Sequence, residues 1–384
     1  MTRSLRDWIF AISQIRASAR IIDAQVAQAG PGSYGSGPIF IEIQTGQATG
    51  VTKRKINWGI LSTAKIGLEK VIPAIQKSSS SNVLGIASRN AGRSARAAND
   101  LGIQKSYASY EALIADPEID AIYNPLPNHM HVDWTLAAAR AGKHVLCEKP
   151  IGLNADDARR LLQCPDNVLI AEAFMVRYHP QWLRVRDLVR SGELGEVRAI
   201  QAAFSYFNTD GSDIRNRPDA GGGAMMDIGC YPITAGRFLF ENEPVQVMAL
   251  IDRDPEFKTD RMASVVADFG RGRQLSFVVS TQLCPYQTLN VLGTKARAEI
   301  MIPYNAPAGE ETAVVIDDGQ SLDGSLAGCE ILPACDQYTE QAEQFSQAIL
   351  TGTALPYGIA DSIASMCVLD AVFASEDQKK WINV

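Results

Sequence analysis

From Ile56 onward the sequence alternates between short apolar stretches and amphipathic stretches of helical period. The apolar stretches INWGILS, NVLGIAS, DAIYNPLP and HVLCEKP each have the composition of a strand. The second and third of them are followed by AGRSARAANDLG and HVDWTLAAARAG, which have the composition of helices that end at Gly102 and Gly142. Strands that alternate with helices in this way predict βαβ units and hence a parallel sheet.

After Arg177 the pattern changes to consecutive strands. The stretch VRAIQAAFSYF alternates at period two, and VQVMALID, MASVVADFG, QLSFVVSTQ, QTLNVLG and RAEIMIP follow it. Such a run predicts an antiparallel sheet. Two helices, YTEQAEQFSQAIL and ADSIASMCVLDAVFAS, close the chain. We therefore expect an α/β fold in which a parallel-sheet domain precedes an α+β domain with a large, mostly antiparallel open sheet.

The chain of 384 residues is longer than one typical core, which favours two domains. Residues 1–54 do not share the alternation, because they combine an amphipathic stretch with the flexible linker AGPGSYGSGP. We interpret this segment as an extension, either an arm or a nonessential stretch. The predicted domains are residues 55–176 for the parallel sheet and residues 177–384 for the second sheet. The last helix is expected to pack back on the first domain.

The composition excludes several classes of partner. The net charge is −7 and no basic block is present, so we expect no nucleic acid. No apolar run reaches the roughly 18 residues that a membrane helix needs, so we expect no membrane partner. The seven cysteines are scattered and never spaced C-x-x-C, so we expect neither a disulfide framework nor a zinc site. A reducing, cytoplasmic location without a secretory leader is the corresponding expectation.

The stretch NWGILSTAKIG predicts a strand that runs into a helix through a turn of small residues. Dinucleotide-binding loops place three glycines in such a turn, and here Ser62, Ala64 and Gly67 occupy those positions. Ser62 and Ala64 are small enough for a pyrophosphate to approach the backbone, and the Ser62 and Thr63 hydroxyls can donate to phosphate. On this pattern alone, a cofactor loop and an ordinary strand–turn–helix remain equal alternatives. The candidate cofactor residues of the loop are Ser62, Thr63, Ala64, Lys65 and Ile66.

Pro73 adds a local prediction for the helix that follows this loop. Proline has no N–H to donate within a helix, so we expect a break near Val71 or a helix that restarts with Pro73 in its first turn.

The end of the second strand carries Ser88, Arg89 and Asn90, with Arg93 close behind. Loops that bind NAD usually place a carboxylate here for the ribose 2′-hydroxyl, and none is present. A guanidinium forms a bidentate pair with a 2′-phosphate, so Ser88, Arg89 and Arg93 favour NADP, with NAD as the alternative. The competing interpretation is that both arginines are solvated surface residues.

Three further motifs are YNPLPNHMH, GKHVLCEKP and GGGAMMDIGCYPI. Together they resemble the Gfo/Idh/MocA oxidoreductases, over about Ile56 to the C-terminus. The E-K-P tripeptide after a strand is specific only in combination with the later D-x-G. The resemblance implies a Rossmann domain, a C-terminal domain with a large and mostly antiparallel sheet, a nicotinamide cofactor, and usually a sugar or polyol substrate.

Tyr231 stands where many members of this family have histidine. Tyrosine at that position resembles the branch of glucose–fructose oxidoreductase and of the dihydrodiol and D-xylose dehydrogenases. The stretches EAFMVRYHPQ and FNTDGSDIRN are similar to those of the aldose dehydrogenases in that branch.

The expected chemistry assigns a role to Lys149, Asp227 and Tyr231. Oxidation of a carbinol sends hydride to the nicotinamide and requires a base for the hydroxyl proton. The pKa of tyrosine starts near about 10, and a neighbouring cation lowers it, so Lys149 is expected to lower the pKa of Tyr231. Asp227 lies one helical turn before Tyr231 and either orients Lys149 or binds a substrate hydroxyl. The alternatives are a solvated lysine and a tyrosine packed between domains.

Other polar residues near these motifs are weaker candidates. His129 and His131 invite a metal site, but no third ligand is evident, so we expect no metal. Cofactor contacts are expected from Leu126, Asn128, His131, Glu148 and Lys149. Candidate substrate residues are Arg177, His179, Arg215 and Asn216, with a structural ion pair as the alternative for Arg177.

These features predict an NADP-dependent oxidoreductase that acts on a sugar, such as the aldose D-xylose, or on a related diol. Two rivals remain at this point: a glucose–fructose type oxidoreductase that retains its cofactor, and a noncatalytic sugar- or nucleotide-sensing protein on the same fold. The strand QLSFVVSTQ has apolar residues at both odd and even positions, and therefore on both faces of the sheet. We expect a second subunit to cover the outer face, in a homodimer or a dimer of dimers.

Overall fold

A computed structural model of the chain describes residues 54–384, so the predicted extension, apart from Arg54, lies outside the described residues. Six strands near the start of this region form a parallel sheet. Their bounds are β1 Ile56–Leu61, β2 Ser81–Ala87, β3 Lys105–Tyr107, β4 Ala121–Asn124, β5 His144–Cys147 and β6 Ile170–Glu172. The strand order is β3-β2-β1-β4-β5-β6, so the direction of winding reverses between β1 and β4.

Helices connect these strands, as the alternation predicts. They are α1 Ile72–Lys77, α2 Ala91–Leu101, α3 Tyr110–Ile114, α4 His131–Arg140 and α5 Ala155–Arg159. A wide π-helical turn, Gly67–Val71, precedes α1, and Pro73 lies in the first turn of α1. The break predicted near Val71 is therefore present, because Pro73 cannot donate to the carbonyl four residues earlier. Gly102 ends α2 with φ 65°.

The second sheet has nine strands. They are β7 Val197–Phe207, β8 Gln246–Arg253, β9 Asp260–Asp268, β10 Gln274–Ser280, β11 Gln282–Gly293, β12 Arg297–Ile300, β13 Thr312–Asp317, β14 Gly328–Leu332 and β15 Ile382–Asn383. Their order is β14-β13-β12-β11-β7-β10-β9-β8-β15. All neighbours are antiparallel except β7 and β10, which run parallel. The predicted fold class, a parallel sheet followed by a large and mostly antiparallel one, is confirmed.

Four longer helices accompany this sheet, namely α6 Pro180–Ser191, α7 Cys230–Phe240, α8 Gln337–Thr351 and α9 Ile359–Gln378. One face of the sheet carries buried side chains such as Phe277 and Val279 of β10. On the other face, Leu250, Val266 and Val278 are exposed on three adjacent strands. We call these three residues the apolar face. It forms part of a shallow depression of about 520 Å³.

Helix α8 returns to the first sheet. Its Phe345 ring lies 5.4 Å from the Trp58 ring, and Trp58 Nε1 donates to Ser346 Oγ at 3.2 Å. Glu343 on the same helix accepts hydrogen bonds from the hydroxyls of Ser78 and Ser80, each at 2.6 Å. The core beside β1 is therefore completed by a late segment of the chain. The domain boundary at 176/177 stays a prediction.

Candidate active site

Lys149 and Asp227 join the end of the parallel sheet to the second part of the chain. Lys149 follows β5, and its Nζ donates to the main-chain oxygen of Asp227 at 2.6 Å and to Oδ1 at 3.3 Å. The two side chains are 13% and 14% exposed. Burial opposes ionisation, but Lys149 and Arg215 lower the pKa of Asp227 to about 2. Burial also opposes the Lys149 ammonium, yet the Asp227 carboxylate raises the pKa of Lys149, so both groups are charged.

The triple glycine allows the turn that holds Asp227. Gly223 has φ +115°, a conformation that favours glycine. A Cβ at Gly223 would lie 1.9 Å from Oδ1 of Asp260. The other oxygen of the buried Asp260 accepts from the Met225 N–H at 2.6 Å, at the start of the π-helical turn that contains Asp227. The glycine motif is thus a packing requirement of the site.

Tyr231 lies in the first turn of α7 and is 6% exposed. Lys149 Nζ is 5.0 Å from the centroid of its ring, while the Tyr231 hydroxyl donates to Met175 Sδ at 3.8 Å. The ring is surrounded by the rings of Phe174, Phe204 and Tyr304. Burial raises the pKa of Tyr231 well above its usual value. The expectation that Lys149 lowers this pKa is wrong, because the cation lies over the ring and the hydroxyl is desolvated.

Two more groups bind Asp227, and sequence reasoning identified only one of them. Arg215 Nε donates to Asp227 Oδ2 at 3.1 Å and also pairs with Asp213. Tyr206, which was missed, donates its hydroxyl to Asp227 Oδ2 at 2.6 Å. The available signal was the period-two pattern of β7, which places Tyr206 on the same face as the buried Phe204. Lys149, Arg215 and Tyr206 thus share one network around Asp227.

The loop after β1 fits a dinucleotide. Ser62 has φ 76°, a left-handed conformation that is rare for residues other than glycine, and its Oγ accepts from the Ala64 N–H at 3.2 Å. Lys65 is exposed at the start of the helical segment. The loop lies where the strand order reverses, the position at which open α/β sheets bind nucleotides. Backbone conformation, small side chains and hydroxyl donors all suit a pyrophosphate.

The residues after β2 offer two exposed guanidiniums. Arg89 and Arg93 are both exposed, and Asn90 caps α2 by accepting from the Arg93 N–H at 3.1 Å. Burial raises the pKa of Tyr110, and the nearby guanidinium of Arg89 offsets part of the rise. Arg89 lies two residues after the end of β2, where a ligand of a 2′-phosphate is expected. Ser88 is buried beside it.

Hydrogen bonds connect the loops that carry the PNHMH, EKP and GGG motifs. His131 is fully buried, and its ring nitrogens lie 2.7 Å from the Pro150 oxygen and 2.6 Å from the Leu126 oxygen. The imidazole is therefore enclosed between two main-chain oxygens with no exposed surface, which corrects the interpretation of His131 as a cofactor ligand. Asn128 Nδ2 donates to the Gly221 oxygen at 2.8 Å, and Glu148 accepts from the Tyr123 hydroxyl at 2.6 Å.

Three of the four candidate substrate residues have structural partners instead. Arg177 is buried and pairs with Asp361 at 2.5 Å, which supports the ion-pair alternative. His179 is buried, and its Nδ1 accepts from the Gln181 N–H as the cap of α6. The buried Asn216 donates to the main-chain oxygen of Asp210 at 2.9 Å. Of the four, only Arg215 borders the Lys149–Asp227 pair. The sequence alone did not reveal which of these four side chains are buried.

Two kinds of feature are absent from residues 54–384. These residues contain no group of three or more histidine, cysteine, aspartate or glutamate side chains arranged to hold a metal ion. In the same region, no helix has the length and apolar character needed to cross a membrane.

Comparison with known proteins gives consistent matches. Residues 56–167 match the family described as "Oxidoreductase family, NAD-binding Rossmann fold", and residues 182–299 match the GFO/IDH/MocA C-terminal domain. The chain is 44% identical over 331 residues to an oxidoreductase of Rhizobium meliloti described as uncharacterized, covering 86% of this chain and 99% of that protein.

Two further similar proteins have named activities. The chain is 37% identical to D-xylose 1-dehydrogenase (NADP(+)) 2 of Haloferax volcanii, covering 83% of this chain and 97% of the relative. A 3-ketoreductase from Actinomadura kijaniata, solved in complex with NADP and TDP-benzene, has a TM-score of 0.79 at 29% identity. That similarity covers 84% of this chain and 98% of the solved one.

Proposed function

The chain belongs to the GFO/IDH/MocA oxidoreductase family, and from that premise we propose that it transfers hydride between NADP and a carbinol carbon of a neutral sugar or related diol. An aldose such as D-xylose is the representative substrate. The chain is an oxidoreductase with a nicotinamide dinucleotide cofactor. The observation that carries the proposal is the charged pair of Lys149 and Asp227, with the Lys149 ammonium over the ring of Tyr231.

The bound nicotinamide accepts or supplies the hydride. In this proposal Ser62, Thr63 and Ala64 bind the pyrophosphate, and Arg89 with Arg93 binds the 2′-phosphate. The remaining proposed contacts to the cofactor are Lys65, Ile66, Ser88, Leu126, Asn128 and Glu148. Preference for NADP is supported by the exposed guanidiniums of Arg89 and Arg93 and by the absence of a carboxylate among residues 88–90.

Lys149 polarises the substrate oxygen. An ammonium has three N–H donors, and two of those of Lys149 go to Asp227. One donor therefore remains for a substrate oxygen. The Asp227 carboxylate already binds Lys149, Tyr206 and Arg215. Asp227 therefore orients Lys149 and does not bind a substrate hydroxyl.

Tyr231 exchanges the proton. Its hydroxyl has a thioether sulfur as partner, which is a weak acceptor, so little is lost when it turns to a substrate oxygen. The raised pKa keeps Tyr231 protonated at neutral pH. Its resting form is therefore that of a proton donor, which suits the reducing direction.

The charge of the loop at residues 208–224 supports a neutral substrate. Its two guanidiniums are both paired, Arg215 with Asp213 and Asp227, and Arg217 with Asp219. A nucleoside diphosphate would need unpaired cations to offset its charge. We therefore favour a free sugar over a nucleotide sugar of the kind that the TDP ligand of the 3-ketoreductase suggests.

The apolar face supports a homodimer or a dimer of dimers. Leu250 is 69% exposed on β8, and Val266 and Val278 lie on the next two strands of the sheet, β9 and β10. An exposed apolar patch on a sheet is covered most simply by a second copy of the same face. A cytoplasmic location also stays part of the proposal, since none of the seven cysteines, all of which lie within residues 54–384, forms a disulfide.

A substrate panel tests the proposal. Purified protein is assayed with aldoses, a trans-diol and a nucleotide sugar, each with NADP and with NAD, by nicotinamide absorbance. We expect turnover with a neutral sugar or diol that Lys149→Met abolishes and the exposed control Lys295→Met retains. A preference for the nucleotide sugar would overturn the neutral-substrate assignment. Cofactor that survives gel filtration would favour the glucose–fructose type, and absence of any turnover would favour a sensing protein.

A further inference from the structure

Resting on the proposed function, we propose that Tyr206 is a positioning residue that fixes the Asp227 carboxylate and, through it, the Lys149 ammonium. Tyr206 does not belong to any of the motifs that identified the site. Its hydroxyl donates to Asp227 Oδ2 at 2.6 Å, shorter than the 3.3 Å from Lys149 Nζ to Oδ1. The phenol therefore binds the oxygen that Lys149 does not use.

The orientation of the carboxylate decides where the Lys149 ammonium points. Lys149 is held at two points of Asp227, its main-chain oxygen and Oδ1. The main-chain oxygen is fixed by the helical turn, but Oδ1 moves when the carboxylate rotates. A donor on Oδ2 stops that rotation, so the remaining N–H of Lys149 keeps one direction toward a substrate oxygen.

Tyr206 is better suited to this role than the other donor on Oδ2. Arg215 binds the same oxygen at 3.1 Å, but its side chain is 44% exposed, lies on a loop and is shared with Asp213. Tyr206 lies near the end of β7, directly after Ser205, which pairs with Ser280 of β10 and with Tyr286 of β11. Because the preceding residue is paired on both sides, the backbone that carries Tyr206 is held more firmly than the loop that carries Arg215.

The test compares Tyr206→Phe with a matched control, Tyr286→Phe. Tyr286 is on the neighbouring strand β11 and is 59% exposed. We expect Tyr206→Phe to lower kcat by about 10- to 100-fold, the usual effect of a misplaced reacting group, with KM changed less than about twofold. Tyr286→Phe is expected to behave as wild type. An unchanged kcat in Tyr206→Phe, or a loss confined to KM, would overturn the proposal.

A second measurement does not require turnover. The carboxyl carbons of aspartate are labelled with carbon-13, and Asp227 is assigned by comparison with Asp227→Asn. Removing a donor from the carboxylate disfavours its charged form, so the titration midpoint of Asp227 should rise by about one unit or more in Tyr206→Phe. An unchanged midpoint would overturn the inference. If the midpoint rises but no sugar is turned over by the wild type, the proposed function fails while the contact stands.

Discussion

The Lys149 ammonium lies over the Tyr231 ring, 5.0 Å from the ring centroid. The attraction of a cation to a ring face depends on the ring, not on the phenol oxygen. Substitutions that retain the ring therefore retain this contact. The packing and the proton chemistry of Tyr231 can be separated by experiment.

Tyr231→Phe should lower turnover by ~10²–10⁴-fold, because it removes a positioned proton-transfer group and retains the ring. The melting temperature and cofactor affinity should change little. Lys149→Met should give a similar loss, and the double variant should be little worse than either single one, because the pair acts as a unit. Steady-state kinetics of the three variants check this, and near-normal turnover in Tyr231→Phe would exclude the assignment.

The pH dependence of sugar reduction follows from the raised pKa of Tyr231. A phenol whose pKa lies above about 10 stays protonated across the neutral range, so the reduction rate should show no limb from Tyr231 between about pH 6 and about pH 9. Initial rates measured across that range check this. A loss of rate on raising the pH, absent in Tyr231→Phe, would mean that the cation lowers this pKa after all.

Arg89→Asp should weaken NADP binding by about 2–4 kcal/mol, since it removes a charge-assisted contact and adds repulsion to the 2′-phosphate. NAD binding should be much less affected. Arg96→Asp, on the exposed side of the same helix, is the charge-matched control. Titration of both cofactors by calorimetry measures the difference, and equal losses for NADP and NAD would mean that Arg89 does not bind the 2′-phosphate.

Val278→Lys should dissociate the proposed dimer, because it places a charge in the apolar face. Light scattering at micromolar concentration should give twice the chain mass or more for the wild type and a lower mass for the variant. Leu322→Lys is the control, since Leu322 is fully exposed outside this face. A monomeric wild type would contradict the prediction.

Stability in acid should depend on Glu343. Burial acts to raise the pKa of Glu343, but its bonds to Ser78 and Ser80 outweigh that effect and lower the pKa to about 2. The bonds therefore stabilise the fold above the ordinary glutamate pKa, and this contribution is lost as the pH falls toward about 2. Glu343→Gln should cost on the order of 1–3 kcal/mol at pH 7 and little at about pH 2. Denaturant unfolding at both pH values measures it, with exposed Glu340→Gln as control; equal losses at both would contradict it.

The strand–helix alternation from Ile56 was sufficient to predict the parallel sheet, because buried strands and capped helices have strong local patterns. The parallel pairing of β7 with β10 could not be predicted in the same way. Period-two alternation fixes which side chains share a face, but it does not fix which strand is the neighbour or its direction.

The candidate site was predictable where a motif carries the chemistry and not where burial decides the role. Lys149 and Asp227 come together as the E-K-P and D-x-G motifs suggested. Arg177 and His179 have the same residue types as pocket groups, but buried partners hold them. Tyr206 was not predicted, because an aromatic residue in an alternating strand is ordinarily interpreted as a core-packing residue and not as a hydrogen-bond donor in a site.

The return of α8 to the first sheet has a consequence for biosynthesis. Trp58 and Ser346 are 288 positions apart, so at about 5–20 residues per second the ribosome makes the partner of Trp58 roughly 15–60 s after Trp58 itself. Until α8 emerges, the surface that Phe345 covers stays open on the nascent chain. A message truncated before residue 337 would therefore release a product with this apolar side uncovered, a substrate for chaperones and proteases rather than a smaller nucleotide-binding protein.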